Sequence, residues 1–148
     1  MPFKQESLRP DIQVIKADYL IKNIDSAFAT WKTSPWSAHL NFDHFCEFIL
    51  PYKVQDPFLP DDWREYCRSD MDRCQYYKNS IHWDARFVNR ALLPNMRIIG
   101  PYTYNGNQPI RMSTWMKKHF VSCGEKGIVC MAVMRSKGIP MAVDYTPQ

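Results

Sequence analysis

Apolar residues in the first half of the chain recur at helical spacing. From Asp18 to Trp31 they fall at Leu20, Ile24, Ala27, Phe28 and Trp31, one stripe of a helix that Ser34-Pro35 breaks. Asn41 is placed to cap a second helix. In that helix Phe42, Phe45, Cys46, Ile49 and Leu50 recur at i, i+3, i+4, i+7 and i+8, and Pro51 ends the run. The stretch Gln55-Asp-Pro-Phe-Leu-Pro60 reads as an ordered loop. Asp62 and Glu65 then have capping-box spacing before a helix lined by Trp63, Tyr66, Cys67, Cys74 and Tyr77. Ser80 caps a further one, through Trp83, Phe87 and Ala91 to Leu92, stopped before Pro94.

The pattern changes after Leu93. Residues 94–110 are rich in turn formers and predict a long loop with a brief extended piece at Met96–Ile99. A helix is expected over Ser113–Phe120, and a last one from Cys123 to Lys137. Ser122 and Glu125 have the S-x-x-E spacing of a reciprocal N-terminal cap, and residues 128–134 are entirely apolar, which implies burial on most sides, as for a helix against a sheet. Arg135 and Lys137 suit a helix C-terminus, Gly138 suits the left-handed position after it, and Pro140 prevents continuation. A strand is expected over Met141–Tyr145. The result is an α+β chain that is predominantly helical.

Composition narrows the function classes. At 148 residues and 45% hydrophobic content the chain has enough apolar mass for one packed core. The net charge of +4 comes from basic residues scattered singly or in pairs, Lys117-Lys118 being the longest pure run. A nucleic-acid surface needs a concentrated basic face, so no nucleic-acid partner is expected. No apolar run approaches the length of a membrane span, and the first residues lack the apolar core of a signal peptide. The compartment stays unassigned, since the native start could lie upstream. The five cysteines, an odd number, argue against a full disulfide framework, and without a C-x-x-C pair no zinc site is expected. No cofactor or metal is implied, and the oligomeric state is not readable.

The candidate chemistry is a thiol. As the first residue of its helix, Cys123 would sit where backbone N–H groups and the helix dipole favour negative charge, which lowers a thiol pKa and sharpens the thiolate as a nucleophile. Gly124 would leave room beside the sulfur. A cysteine at a helix start is, taken alone, more often structural than catalytic. Trp36 and Trp115 could line a groove, although burial is the default for tryptophan.

Two stretches carry a family resemblance. The segment from Cys123-Gly124 to Arg135-Ser-Lys-Gly-Ile-Pro-Met-Ala-Val-Asp144 resembles the core motif of the transglutaminase-like superfamily, with Ser136 where alanine is usual. In that papain-like fold a nucleophilic cysteine opens a helix that ends in an Arg-Ala-x-Gly-Ile-Pro turn, and a strand follows. The stretch Ala27–Val54, with its Phe-Cys-Glu-Phe-Ile-Leu-Pro-Tyr run, is similar to the helical region preceding this core in some bacterial members. The resemblance implies a helical N-terminal region with a long loop over 1–110 and the beginning of the catalytic core over 111–148.

It also implies that Cys123 is the nucleophile. The thiolate would attack a carbonyl of a peptide or protein substrate, possibly glycan-linked, form a thioester, and pass the acyl group to an amine or to water. The family's His and Asp lie on strands after the Gly-Ile-Pro turn, and no position up to Gln148 matches them. His119 precedes Cys123 by four residues but belongs to a different element, and His39, His44 and His82 are weaker candidates for a base. The expectation is therefore a fragment of a longer enzyme, inactive alone. A complete protein that has lost catalysis, a non-catalytic peptide- or glycan-binding module and a helical interaction protein are the alternatives.

Overall fold

The computed structural model describes residues 10–54, 58–59, 61–70, 86, 97–98, 110–116, 120–121 and 123–144. At some helix and strand positions, Trp115 and Cys123 among them, the backbone alone is described. Helices dominate. A short α1 (Asp11–Val14) leads into α2 (Ala17–Thr33), a 3₁₀ turn (Ser37–His39) and α3 (Phe42–His44), which runs on as a π-helical turn over Phe45–Ile49. Then come β1 (Phe58–Leu59), α4 (Trp63–Asp70), β2 (Arg97–Ile98), β3 (Ile110–Arg111), α5 (Met112–Met116), β4 (Phe120–Val121) and α6 (Cys123–Ser136). The strands form two parallel two-residue pairs, β1 with β3 and β2 with β4. Pairs this short pin chain segments together but do not make a sheet with a face of its own.

Helix α6 lies at the centre. Every residue from Ile128 to Ile139 is buried, with Val129, Ala132 and Val133 fully so. An apolar run with no polar face is stable only when enclosed all round. Here α4, α5 and the π-helical turn pack against it, and Trp36, Val54, Trp63, Cys67 and Met112 complete the cluster. Among the described residues the enclosing elements are mainly helices, with β4 also in contact, rather than the sheet the apolar run suggested. A smaller cluster of Ala27, Phe45 and Ile49 joins α2 to the π-helical turn. Within it the Phe45 ring stacks on Trp31, with centroids 4.4 Å apart, and sits 4.8 Å from Phe28.

Local signals match several expected ends. Asn41 Oδ1 accepts a hydrogen bond from the His44 N–H at 2.8 Å, so Asn41 caps α3. Pro51 follows the last turn, where the Leu50 N–H bonds to the Phe45 carbonyl at 2.9 Å in the i+5 pattern of a π turn. Asp62 and Glu65 do not act as a capping box: both carboxylates pair with Lys22 of α2, at 3.0 Å each.

Two expectations change. Residues 141–144 take no strand conformation, because none of the described segments pairs with them and an isolated strand has no partners for its backbone groups. The helix expected over Ser113–Phe120 is shorter, Met112–Met116, with Phe120 already in β4. The extended piece expected near Met96–Ile99 is present as β2. Of the helix expected from Ser80 to Leu92 only Arg86 is described, in helical conformation, and the part of the preceding one that carries Cys74 and Tyr77 falls outside the described residues.

At the N-terminus, Asp11 accepts hydrogen bonds from the Lys53 ammonium at 2.7 Å and the Tyr52 hydroxyl at 2.6 Å. These bonds hold its carboxyl below the usual carboxylate range. A group with a depressed folded pKa contributes stability above its unfolded value and loses it as pH falls through the folded one. Asp11→Asn should therefore lower the melting temperature at neutral pH. The gap from wild type should close as pH falls below about 4, the ordinary carboxylate value. Thermal unfolding followed by circular dichroism across pH checks this; a gap that is unchanged at low pH would contradict it.

Candidate functional site

The sequence places its candidate nucleophile at the start of α6 and the rest of the matched motif at its end, and both ends have defined backbone geometry. Cys123 is the first residue of the helix. The adjacent Gly124 is exposed, and a methyl group built there, or at Gly127, meets no described atom within 4 Å. The start of α6 is thus open on its glycine side, while Glu125, one residue further, is buried. The positive end of the helix dipole lies in this first turn, together with N–H groups whose partners must come from outside the helical ladder.

The far end is closed by the Arg-Ser-Lys-Gly-Ile-Pro segment. Gly138 has φ of +78°, in the left-handed region. The Ile139 N–H bonds to the Met134 carbonyl at 2.9 Å and the Gly138 N–H to the Arg135 carbonyl at 3.1 Å. This pair of bonds is a Schellman closure, and the accompanying apolar contact is supplied by Ile139 and Met134, both buried in the central cluster. Arg135 and Ser136 also have structural tasks. The Arg135 Nε donates to the Met141 carbonyl at 3.1 Å, tying down the chain after the turn. Ser136 Oγ bonds to the Val133 carbonyl at 2.7 Å.

The N-terminal helices grip this turn. Trp36 Nε1 donates to the Gly138 carbonyl at 2.5 Å, and Thr30 Oγ1 reaches the Ser136 carbonyl at 3.5 Å. A Cβ on Gly138 would lie 3.0 Å from Ser34 Cβ and 3.1 Å from Thr30 Cγ2. The turn is therefore seated against the end of α2 with no space for a side chain. Trp36 is a buried clasp here, not the wall of a groove.

A buried arginine beside α6 carries no signal in the sequence pattern. Arg64, in the first turn of α4, is 5% exposed. Its Nε donates to Asn23 Oδ1 at 2.6 Å, and its Nη2 donates to the carbonyls of Ile49 and Pro51. It thus satisfies the carbonyl end of the π-helical turn, aided by Asn23 Nδ2, which bonds to the Leu50 carbonyl at 2.9 Å. Its guanidinium carbon lies 4.4 Å from the Trp63 ring centroid. Burial, then the neighbouring charge of Arg135, push its pKa down to about 9, so it stays cationic at neutral pH. The Nη1 of Arg64 and Oδ1 of Asp61 are buried without a hydrogen-bond partner among the described residues.

Arg64 also lines a cleft of about 320 Å³ between α2 and the start of α4. Tyr19, Asn23 and Ser26 form one side of it and Asp61 and Trp63 the other, with the Lys22 ion pairs at its rim. Tyr19 donates toward the carbonyls of Tyr52 and Asp61, and burial followed by the Asp61 charge raises its pKa to about 12.

The other candidates are placed only in part. His39 and His44 are exposed, on the 3₁₀ turn and on α3, while His82 and His119 lie outside the described residues. Cys67 and Cys130 are buried thiols in the central cluster, and burial pushes the Cys130 thiol up. No group of His, Cys, Asp and Glu among the described residues has a metal-binding arrangement. No helix among them is long and apolar enough to cross a membrane. No family model, curated protein or solved structure matches the chain.

Two variants test these contacts. Gly138→Ala should cost roughly 2–4 kcal/mol, combining left-handed strain with overpacking against Ser34 and Thr30, whereas Gly124→Ala should be neutral or stabilising by up to about 1 kcal/mol. Arg64→Met, close in volume, should cost about 2–4 kcal/mol by leaving the Ile49 and Pro51 carbonyls and the Asn23 amide without their donor. Urea unfolding of the purified variants measures both. A near-neutral Gly138→Ala or Arg64→Met would contradict the roles assigned here.

Proposed function

We propose that this chain carries the nucleophile of a thiol-dependent acyl-transfer or amide-hydrolysis activity of the transglutaminase-like type, with Cys123 as the attacking residue. The observation that carries this reading is the helix itself: α6 begins at Cys123, opens toward Gly124, and is buried from Ile128 onward. A helix fixed along most of its length holds its first residue in place without a side-chain tether.

The chemistry follows from that position. A thiolate at the start of α6 is stabilised by the first-turn N–H groups and attacks the carbonyl carbon of a glutamine or peptide amide. A carbon–sulfur bond forms and the carbon–nitrogen bond breaks, with the amine leaving as the protonated species. Amine or water then attacks the thioester and regenerates the thiolate. The proton transfers need a base and an orienting acid, and no position of this chain matches the family's pair. The residues up to Gln148 alone should therefore show thiol reactivity without turnover, since a nucleophile lacking its base loses several orders of magnitude in rate.

A second reading rests on the cleft between α2 and α4, which suits a non-catalytic module for a peptide or glycan. It requires ligand binding to survive Cys123→Ala.

Alkylation by iodoacetamide across pH tests the proposal, with the modified cysteines located by peptide mass mapping. Cys123 should react fastest, with an apparent pKa below the free-thiol value of about 8.5. The buried Cys67 and Cys130 should react only on unfolding. A Cys123 that titrates like a free thiol, or that reacts no faster than Cys46, would overturn the assignment.

A further inference from the structure

The outer face of α2 is apolar and open. Ile21 and Ile24 are 56% and 42% exposed, Phe28 and Trp31 are half-buried, and Phe42 of α3 is 56% exposed. Phe42 extends this strip sideways, its ring 6.1 Å from that of Trp31. Beneath the strip lies the smaller cluster, whose only fully enclosed side chains among the described residues are Ala27, Phe45 and Ile49. The arrangement is half of a helix–helix core, covered on its inner side and bare on its outer side. Contiguous apolar patches of this kind mark contact surfaces.

The spacing along α2 says which partner fits. Ile21 and Phe28 are seven residues apart, as are Ile24 and Trp31, which gives the a and d positions of two successive heptads. Asp18, Asp25 and Lys32 follow the same seven-residue step along one flank, and all three are exposed. The opposite flank, at Leu20 and Ala27, turns toward the chain's own core, with Ala27 fully buried. A parallel neighbour would set one helix's charged flank against the other's buried flank, which is inaccessible. An antiparallel copy sets the two charged flanks together.

We propose that α2 and Phe42 form a two-fold interface with a second copy of this chain, the two α2 helices running antiparallel. In this register Ile21 lies opposite the partner's Trp31, and Ile24 opposite the partner's Phe28. The two-fold axis makes each contact occur twice. The charged row is self-complementary at its ends: Asp18 meets the partner's Lys32, and Lys32 meets the partner's Asp18. At the centre Asp25 approaches the partner's Asp25, an unfavourable contact that keeps the dimer weak. Two heptads are too few for a free-standing coiled coil, so the interface depends on α2 being held rigid from behind by Phe45 and Ile49.

Sedimentation equilibrium on the whole chain, from low to high micromolar concentration, tests this. Wild type should show reversible dimer formation. Ile24→Glu, at a site already exposed, should abolish the dimer and leave the far-ultraviolet circular dichroism unchanged. Asp18→Lys and Lys32→Glu should each weaken the dimer about tenfold, and the double variant should recover it, because the exchange restores opposite charges. Asp25→Asn should tighten it about threefold by relieving repulsion on the axis. A chain that stays monomeric throughout, its strip being covered by another partner or by another part of the chain, would overturn the proposal. So would a dimer indifferent to Ile24→Glu, or charge variants that fail to compensate one another.

Discussion

The structure depends on how α6 stops. An apolar helix running through the middle of a domain has no polar face to fix its rotation or its axial position, so those must be set at an end. Here they are set at Gly138. The left-handed residue closes the helix on the carbonyls of Met134 and Arg135, and Trp36 and Thr30 hold the closed turn against α2. The contact joins residues about a hundred positions apart and fixes the N-terminal helices and the central helix in one frame. Arg64 makes the corresponding connection on the other side, bonding α2 and the π-helical turn to α4, which packs along α6.

This frame separates two meanings of the Arg-Ser-Lys-Gly-Ile-Pro segment. Arg135, Ser136, Gly138 and Ile139 each have work in closing and seating the helix, and none of that work is chemistry. The functional proposal rests instead on the opposite end, where the same helix presents Cys123 beside an open glycine. The two ends are related mechanically: a helix that cannot slide or rotate at Gly138 also holds its first turn in place. A residue positioned this way needs no side-chain tether to stay in place, although turnover would still require a base.

Much of this was legible in the sequence. The stripe from Leu20 to Trp31 marked α2, Asn41 and Pro51 marked the bounds of the next helix, and the apolar run to Gly138 marked α6 and its closure. These are local signals, set by backbone propensity and by side chains within one turn. What failed to show depends on distant partners. Nothing about Arg64 in its sequence neighbourhood announces burial, because its acceptors are carbonyls of another helix. Asp62 and Glu65 had capping spacing, yet Lys22 from α2 took both. The extended conformation expected after Pro140 needs a neighbouring strand, which no local pattern can supply. Periodicity likewise identified Phe42 as apolar without revealing that its face is left open. The candidate nucleophile was readable as a helix position, whereas the clasp that fixes the helix was not.

Amide hydrogen exchange read by mass spectrometry tests most directly whether α6 is the fixed centre. The account predicts the slowest exchange in the molecule over Val129–Met134, protected to the level of global unfolding, with the Gly138 and Ile139 amides slow alongside them. Fast exchange across that segment, comparable to that of the exposed α1, would mean the helix opens locally without the rest of the fold. The idea that its closure fixes the architecture would then be wrong.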